Sequence, residues 1–338
     1  MNAFHPTDAQ LEKKDTLWYN QEVFTIHVFN HSTIIMNDRT NRQKRTGALL
    51  LTLGAFIWGV AFVAQSEGGD AIGPYTFNGT RFIMGGLVLL PVLALTAKED
   101  KKIYGDRSRR NSSILLQGGI ACGIALTIAS NLQQVGITLG TPAGKAGFLT
   151  ACYIVLVPIA GLFLGCKCPA RIWLAVAITL VGLYLLCMSE SLALSGPDLL
   201  LLASAAGFTL QILLIDHYAP QCNPIALSVI EFLTCGILTM IPALVLEIIP
   251  DPVGMLASFH TREAWIPLLY AGLLSTGVSY TFQIIGQKSV HPTIASLLMS
   301  LESVFAVLAG WALLGEHMTL REGLGCLLIF VAIILAQL

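Results

Sequence analysis

The sequence predicts an all-α integral membrane protein whose ten transmembrane helices form two inverted five-helix repeats. Three observations carry that prediction. Of the 338 residues, 55% are hydrophobic and 12% charged, with a mean hydropathy of +0.73, where soluble domains carry about 25% charged residues. The apolar residues gather into ten stretches, each near the roughly 20 residues that cross about 30 Å of hydrocarbon. The chain also aligns with itself at a shift of 150 residues without a gap.

The ten stretches run over 47–66, 74–97, 113–136, 141–165, 170–189, 197–217, 223–249, 264–287, 292–315 and 320–337. Proline and glycine mark many joints, as at Gly73-Pro74, Thr141-Pro142, Pro169, Gly196-Pro197, Asn223-Pro224, Pro250-Asp251-Pro252 and His291-Pro292. Proline lacks an amide hydrogen, so it opens a helix readily but interrupts one it enters. Strands are excluded because an open sheet edge leaves backbone groups unpaired in lipid, and no alternating ten-residue pattern recurs.

Cytoplasmic loops carry the excess of lysine and arginine. One side collects Arg39, Arg42, Lys44, Arg45, Lys98, Lys101, Lys102, Arg107, Arg109, Arg110, Lys167, Arg171 and Lys288; the other holds only Arg262 and Arg321. Thirteen against two places both termini in the cytoplasm of a multi-pass protein of the cell inner (plasma) membrane. Residues 1–46 read as a cytoplasmic leader, disordered or mis-started. Val23–Ile35 is too short to span and is interrupted by His27, Asn30 and His31, while Met36 opens a compact basic segment and is an alternative start.

The shift of 150 pairs breakers and polar residues: Pro74 with Pro224, Gly136 with Gly286, Pro142 with Pro292, Gln133 with Gln283, Gly165 with Gly315 and Arg171 with Arg321. Two domains result, 47–190 and 197–338. Five helices per unit is an odd number, so the second unit enters the membrane the other way up. That architecture places substrate near the midplane and exchanges access by rocking.

Composition also excludes functions. A net charge of −1 rules out a basic nucleic-acid footprint. Eight cysteines without a cleavable signal peptide do not read as a disulfide framework, and Cys166-x-Cys168 fits no common zinc spacing. No His-Glu-x-x-His and no phosphate loop occur, and the seven histidines lie in the tail and loops. The expectation is therefore no catalytic residue, no metal and no cofactor.

Several local motifs act as a set: Ala55-Phe56-Ile57-Trp58-Gly59-Val60-Ala61-Phe62 within 47–65, the intramembrane Arg81-Phe82, the run from Thr141 to Phe148 leading to Val157-Pro158, and Leu314-Gly315-Glu316. Across 47–338 the chain resembles the EamA-type branch of the drug/metabolite transporter superfamily. The resemblance implies ten helices, a central cavity lined by both halves, the fifth and tenth helices at the periphery, and transport of small metabolites. One departure stands out. The family commonly has Glu-Pro in the ninth helix, and here Glu302 is followed by Ser303.

An ionisable group at the centre of a membrane helix costs at least about 2.5 to 3.5 kcal/mol on insertion scales, so each marks a candidate. Arg81 lies about 10 Å inside the second helix at 1.5 Å per residue, with Asn78 and Gly85 on its face. Glu231 is its repeat counterpart, and Glu302 lies near the midplane of the ninth helix. Arg81 either meets substrate or anchors its helix to neighbouring carbonyls. Glu231 and Glu302 either carry a proton or coupling ion or bond between helices, Glu302 sharing a face with Ala295, Ala306 and Ala309. Polar stripes add candidates for a substrate cavity: Ser130 and Gln133; Thr276, Tyr280 and Gln283; and Ser296, Ser300 and Ser303, with Ala146, Thr150 and Tyr153 as their counterparts. Trp58, Phe62, Phe208 and Gln211 offer further walls. Lys145 reads as a residue snorkelling outward or gating, and Glu316 and Arg321 as capping or pairing at the external end.

These readings converge on a secondary transporter of a small-molecule substrate, amino-acid-like compounds first, working by alternating access in a lipid bilayer. A lipid-carrier flippase on the same fold is the alternative, and a membrane-embedded enzyme a distant third. Gly119-x3-Gly123 and Gly161-x3-Gly165 suit helix contacts either within the bundle or in a homodimer.

Overall fold

A computed structural model describes residues 41–104, 108–141, 143–165, 168–187, 195–314 and 319–337. Residues 1–40 of the leader, with its alternative start at Met36, together with Cys166 and Glu316, fall outside them, whereas residues 41–46, read as part of the leader, are the first residues of a helix. Among the described residues there is no strand, and helix covers nearly every apolar stretch. The helices are α1 Asn41–Ile72, α2 Pro74–Tyr104, α3 Ser108–Thr138, α4 Ala143–Ala151, α5 Tyr153–Phe163, α6 Ala170–Cys187 and α7 Gly196–Tyr218 in the first part of the chain. The second part adds α8 Pro224–Ala243, α9 Pro252–Ser258, α10 Arg262–Leu269, α11 Thr281–Gln287, α12 Pro292–Met299, α13 Leu301–Leu314 and α14 Leu320–Gln337. Among the described residues, eight segments are long and apolar enough to cross a membrane, and Pro292–Leu308 is a shorter apolar one.

Two of the expected single helices are broken. The stretch 141–165 parts at Cys152 into α4 and α5, and 292–315 parts at Ser300 into α12 and α13. The ninth-stretch break forms without the proline that the family commonly places there. Serine side chains flank it: Ser296 Oγ donates to the Thr293 carbonyl at 2.8 Å and Ser300 Oγ to the Leu297 carbonyl at 2.7 Å. Such back-bonding competes with the backbone ladder and bends the helix, and the Ser303 amide then turns tightly onto the Ser300 carbonyl at 3.2 Å. A third irregularity is a π-helical run, Tyr270–Tyr280, between α10 and α11.

Packing obeys the repeat. α2 lies on α8 and α6 on α14, pairs that map onto themselves when the halves are exchanged; α3 on α7 maps onto the Tyr270–Gln287 segment on α1. Glycines set the close approaches. A Cβ on Gly123 would stand 2.6 Å from Thr234 Cβ and 2.8 Å from the Glu231 carbonyl, and one on Gly119 would meet Ile230. The Gly119-x3-Gly123 spacing thus serves α3 on α8 inside the bundle, where small residues let backbones meet. Large apolar side chains such as Leu87, Leu95, Leu116, Ile237 and Ile334 point outward, the arrangement a lipid solvent permits.

Candidate transport cavity

The breaks and the π-helical run surround a cavity lined from both halves. Of the residues singled out from sequence, Trp58, Arg81, Gln133, Tyr153, Gln211, Tyr280, Gln283 and Glu302 line it, together with Phe62, Thr150 and Phe208. Asn78, Ser130, Glu231 and Ser300 do not reach its wall; they stand behind it or, for Ser300, bond back to their own helix.

Arg81 is 1% exposed. Its Nε donates to Asn78 Oδ1 at 2.7 Å, and its guanidinium carbon sits 4.5 Å from the centre of the Phe82 ring, a cation–π geometry. Asn78 is held in turn: its Nδ2 donates to Ser130 Oγ at 3.1 Å and Asn131 Oδ1 at 2.6 Å. Asn131 Nδ2 continues to Thr239 Oγ1 at 3.0 Å. Asn78 and Ser130 therefore position the arginine from behind. Arg81 Nη2 has no hydrogen-bond partner, and no described carboxylate pairs with the side chain.

The second ionisable group on the cavity lining is Glu302, in the first turn of α13 just past the break. It is 7% exposed, lines the cavity and has no hydrogen-bond or salt-bridge partner among the described residues. This departs from the expected serine stripe. Ser296, Ser300 and Ser303 do not line the cavity, whereas Glu302, two residues past the turn at Ser300, does. The π-helical run acts likewise on its own stripe. In a π-helix the repeat lengthens to i→i+5, which brings Ser275 rather than Thr276 into line with Tyr280; Ser275 lines the cavity, while Thr276 packs against Gly85.

A polar chain leads from the wall to the second buried carboxylate. Gln283 Nε2 donates to Gln211 Oε1 at 3.1 Å, and Gln211 Nε2 donates to Glu231 Oε1 at 2.8 Å. Glu231 is fully buried and its Oε2 has no hydrogen-bond partner. Gln133 Nε2 bonds Thr150 Oγ1 at 3.3 Å. The aromatic side of the cavity is built on Tyr280, whose ring lies 4.7 Å from that of Trp58; the Trp58 indole donates to the Ser275 carbonyl at 3.2 Å. Gln65, Ile212 and Met299 also line the cavity and were not anticipated. Gln65 had a signal, since Trp58, Phe62 and Gln65 recur at helical i, i+4, i+7 spacing on α1.

A profile of the EamA-like transporter family matches twice, at residues 45–188 and 196–338. The chain belongs to the EamA-like transporter family. An uncharacterized transporter of Archaeoglobus fulgidus is 30% identical over 290 residues, covering 85% of this chain and 84% of its own. The Bacillus subtilis protein YoaV, also named an uncharacterized transporter, is 24% identical, with 84% and 92% covered. The Escherichia coli protein YedA, named an uncharacterized inner membrane transporter, is 24% identical, with 83% and 87% covered. A solved structure superposes with a TM-score of 0.67 at 16% identity over 86% of this chain and 96% of that one, which shows the fold. This EamA-like chain is a multi-pass membrane protein of a transporter family.

Proposed function

We propose that the protein is a secondary transporter of small, charged or zwitterionic metabolites, amino-acid-like compounds foremost, which it moves by alternating access between two inverted five-helix halves. In this reading ten helices cross the plasma membrane, both termini are cytoplasmic, and the halves correspond to residues 47–190 and 197–338. The observation that carries it is the pair of ionisable groups, one basic and one acidic, left without a salt bridge in one cavity, Arg81 with a free Nη2 and Glu302. Burying an unpaired charge is expensive, and a ligand of complementary charge offsets that cost. An anionic group suits Arg81 and a cationic donor suits Glu302, with the Trp58, Phe62 and Phe208 side taking the apolar remainder.

The test is uptake of a panel of labelled metabolites into proteoliposomes. Transport of at least one zwitterionic compound, falling at least tenfold in Arg81→Ala and in Glu302→Gln, supports the reading. Undiminished transport in both variants removes these residues from the site. A lipid-scrambling assay on the same liposomes addresses the flippase alternative, which activity there without metabolite uptake would favour. Equal counterflow with and without a pH gradient would remove proton coupling through Glu231 or Glu302.

A further inference from the structure

Two carboxylates tie the halves together at one end of the bundle. Lys145 Nζ, in the first turn of α4, lies 2.6 Å from Asp198 Oδ2 in the first turn of α7, and Thr141 Oγ1 donates to Oδ1 of the same carboxylate at 3.4 Å. Asp198 is 1% exposed and also accepts from the Ser195 amide at 2.7 Å. On the other side of that end, Glu247 comes after α8 in the π-helical turn Leu244–Ile248. It accepts from the amides of Tyr75 at 2.9 Å and Thr76 at 2.6 Å, and from the Thr76 hydroxyl at 2.6 Å. The first amides of a helix have no partner within it, and a carboxylate there also meets the positive end of the helix dipole. For α2 that carboxylate is supplied by the opposite half. Gly73, at φ +81°, makes room: a Cβ there would stand 2.6 Å from the Glu247 carboxyl carbon.

The repeat supplies the internal control. At the shift of 150, Lys145 corresponds to Ala295, Asp198 to Ala48 and Glu247 to Ala97. Three charged residues at one end answer to three alanines at the other. The counterpart of the α2 N-terminus is that of α8, and its cap is local: Asn223 Oδ1 accepts from Ile225 at 2.7 Å and Ala226 at 3.1 Å. Two interchangeable halves would open both ends at equal cost, and these three differences remove that equality.

We propose that the Lys145–Asp198 pair and the Glu247 cap on α2 form a single polar gate at the end of the bundle that the lysine and arginine count assigns to the outside. Both parts open together when the halves rock apart, and they hold the resting protein closed on that side. The proposal rests on the alternating-access reading.

Hydrogen exchange on the full chain in lipid nanodiscs, without substrate, tests it. In Lys145→Gln, the Tyr75 and Thr76 amides should exchange about tenfold faster although Lys145 does not bond them, while the Ile225 and Ala226 amides stay as protected or become more so. Unchanged exchange at 75 and 76 would overturn the gate, leaving two independent helix caps. Faster exchange at both ends means general loosening; the reciprocal variant, Glu247→Gln read at the Ser195 amide, then decides. A selective rise at Ser195 sustains the gate, and no rise, or a rise at both ends again, rejects it. Because no substrate is involved, this failure is distinct from a failure of the metabolite panel.

Discussion

Arg81 is held by a neutral amide rather than by an acid, and that choice has consequences at the scale of one residue. A carboxylate partner would quench its charge, whereas Asn78 orients it and leaves Nη2 for a ligand. A hydrogen bond to a charged group contributes about 1.5 to 3 kcal/mol. Asn78→Leu is therefore expected to weaken transport roughly tenfold to a hundredfold through the substrate KM, which initial-rate uptake measures; Asn78→Asp should weaken it as well, by pairing with the arginine. Arg81, Gln133, Gln211, Gln283 and the two glutamates were legible from sequence because ionisable and amide groups are costly in an apolar stretch and need a polar setting. Which of them reach the cavity was not legible. Glu231 and Glu302 look alike in sequence, yet one is buried behind Gln211 and the other lines the wall.

At the scale of elements, the helix breaks decide which side chains face inward. The turn at Ser300 was hidden from sequence because no proline or glycine marks it; serine hydroxyls bond to the preceding turn there, but the same bond at Ser204 leaves α7 unbroken, so serine spacing alone does not reveal a break. α1 packs closely on α13 just past the break at Gly59, where a Cβ would stand 2.7 Å from the Glu302 carbonyl and 2.8 Å from the Ala306 amide. Inserting methylenes into such a contact costs about 1 to 3 kcal/mol. Gly59→Val is expected to lower the apparent melting temperature in detergent by several degrees and to depress transport with it. Gly323→Ala, on α14 with open space where its Cβ would go, should do neither.

At the scale of the whole molecule, the membrane orientation is open to a direct check. A phosphatase fused after Asp70 is expected to be active and one fused after Leu338 inactive, with a fluorescent protein at Leu338 giving the opposite pattern; reversal would overturn the charge-based topology. The sequence by itself determined the class of the molecule, since scarcity of charge, apolar stretches and the shift of 150 are properties of composition and order that no packing can change. It also marked the buried ionisable groups, because their cost exists wherever a helix crosses lipid. Only the tertiary structure decided which of those groups meet. Rotation about a helix axis depends on breaks and π turns, and partnerships such as Lys145 with Asp198 or Glu247 with the α2 amides span the two halves. Contacts of that kind arise from how separate segments pack, which local spacing does not encode.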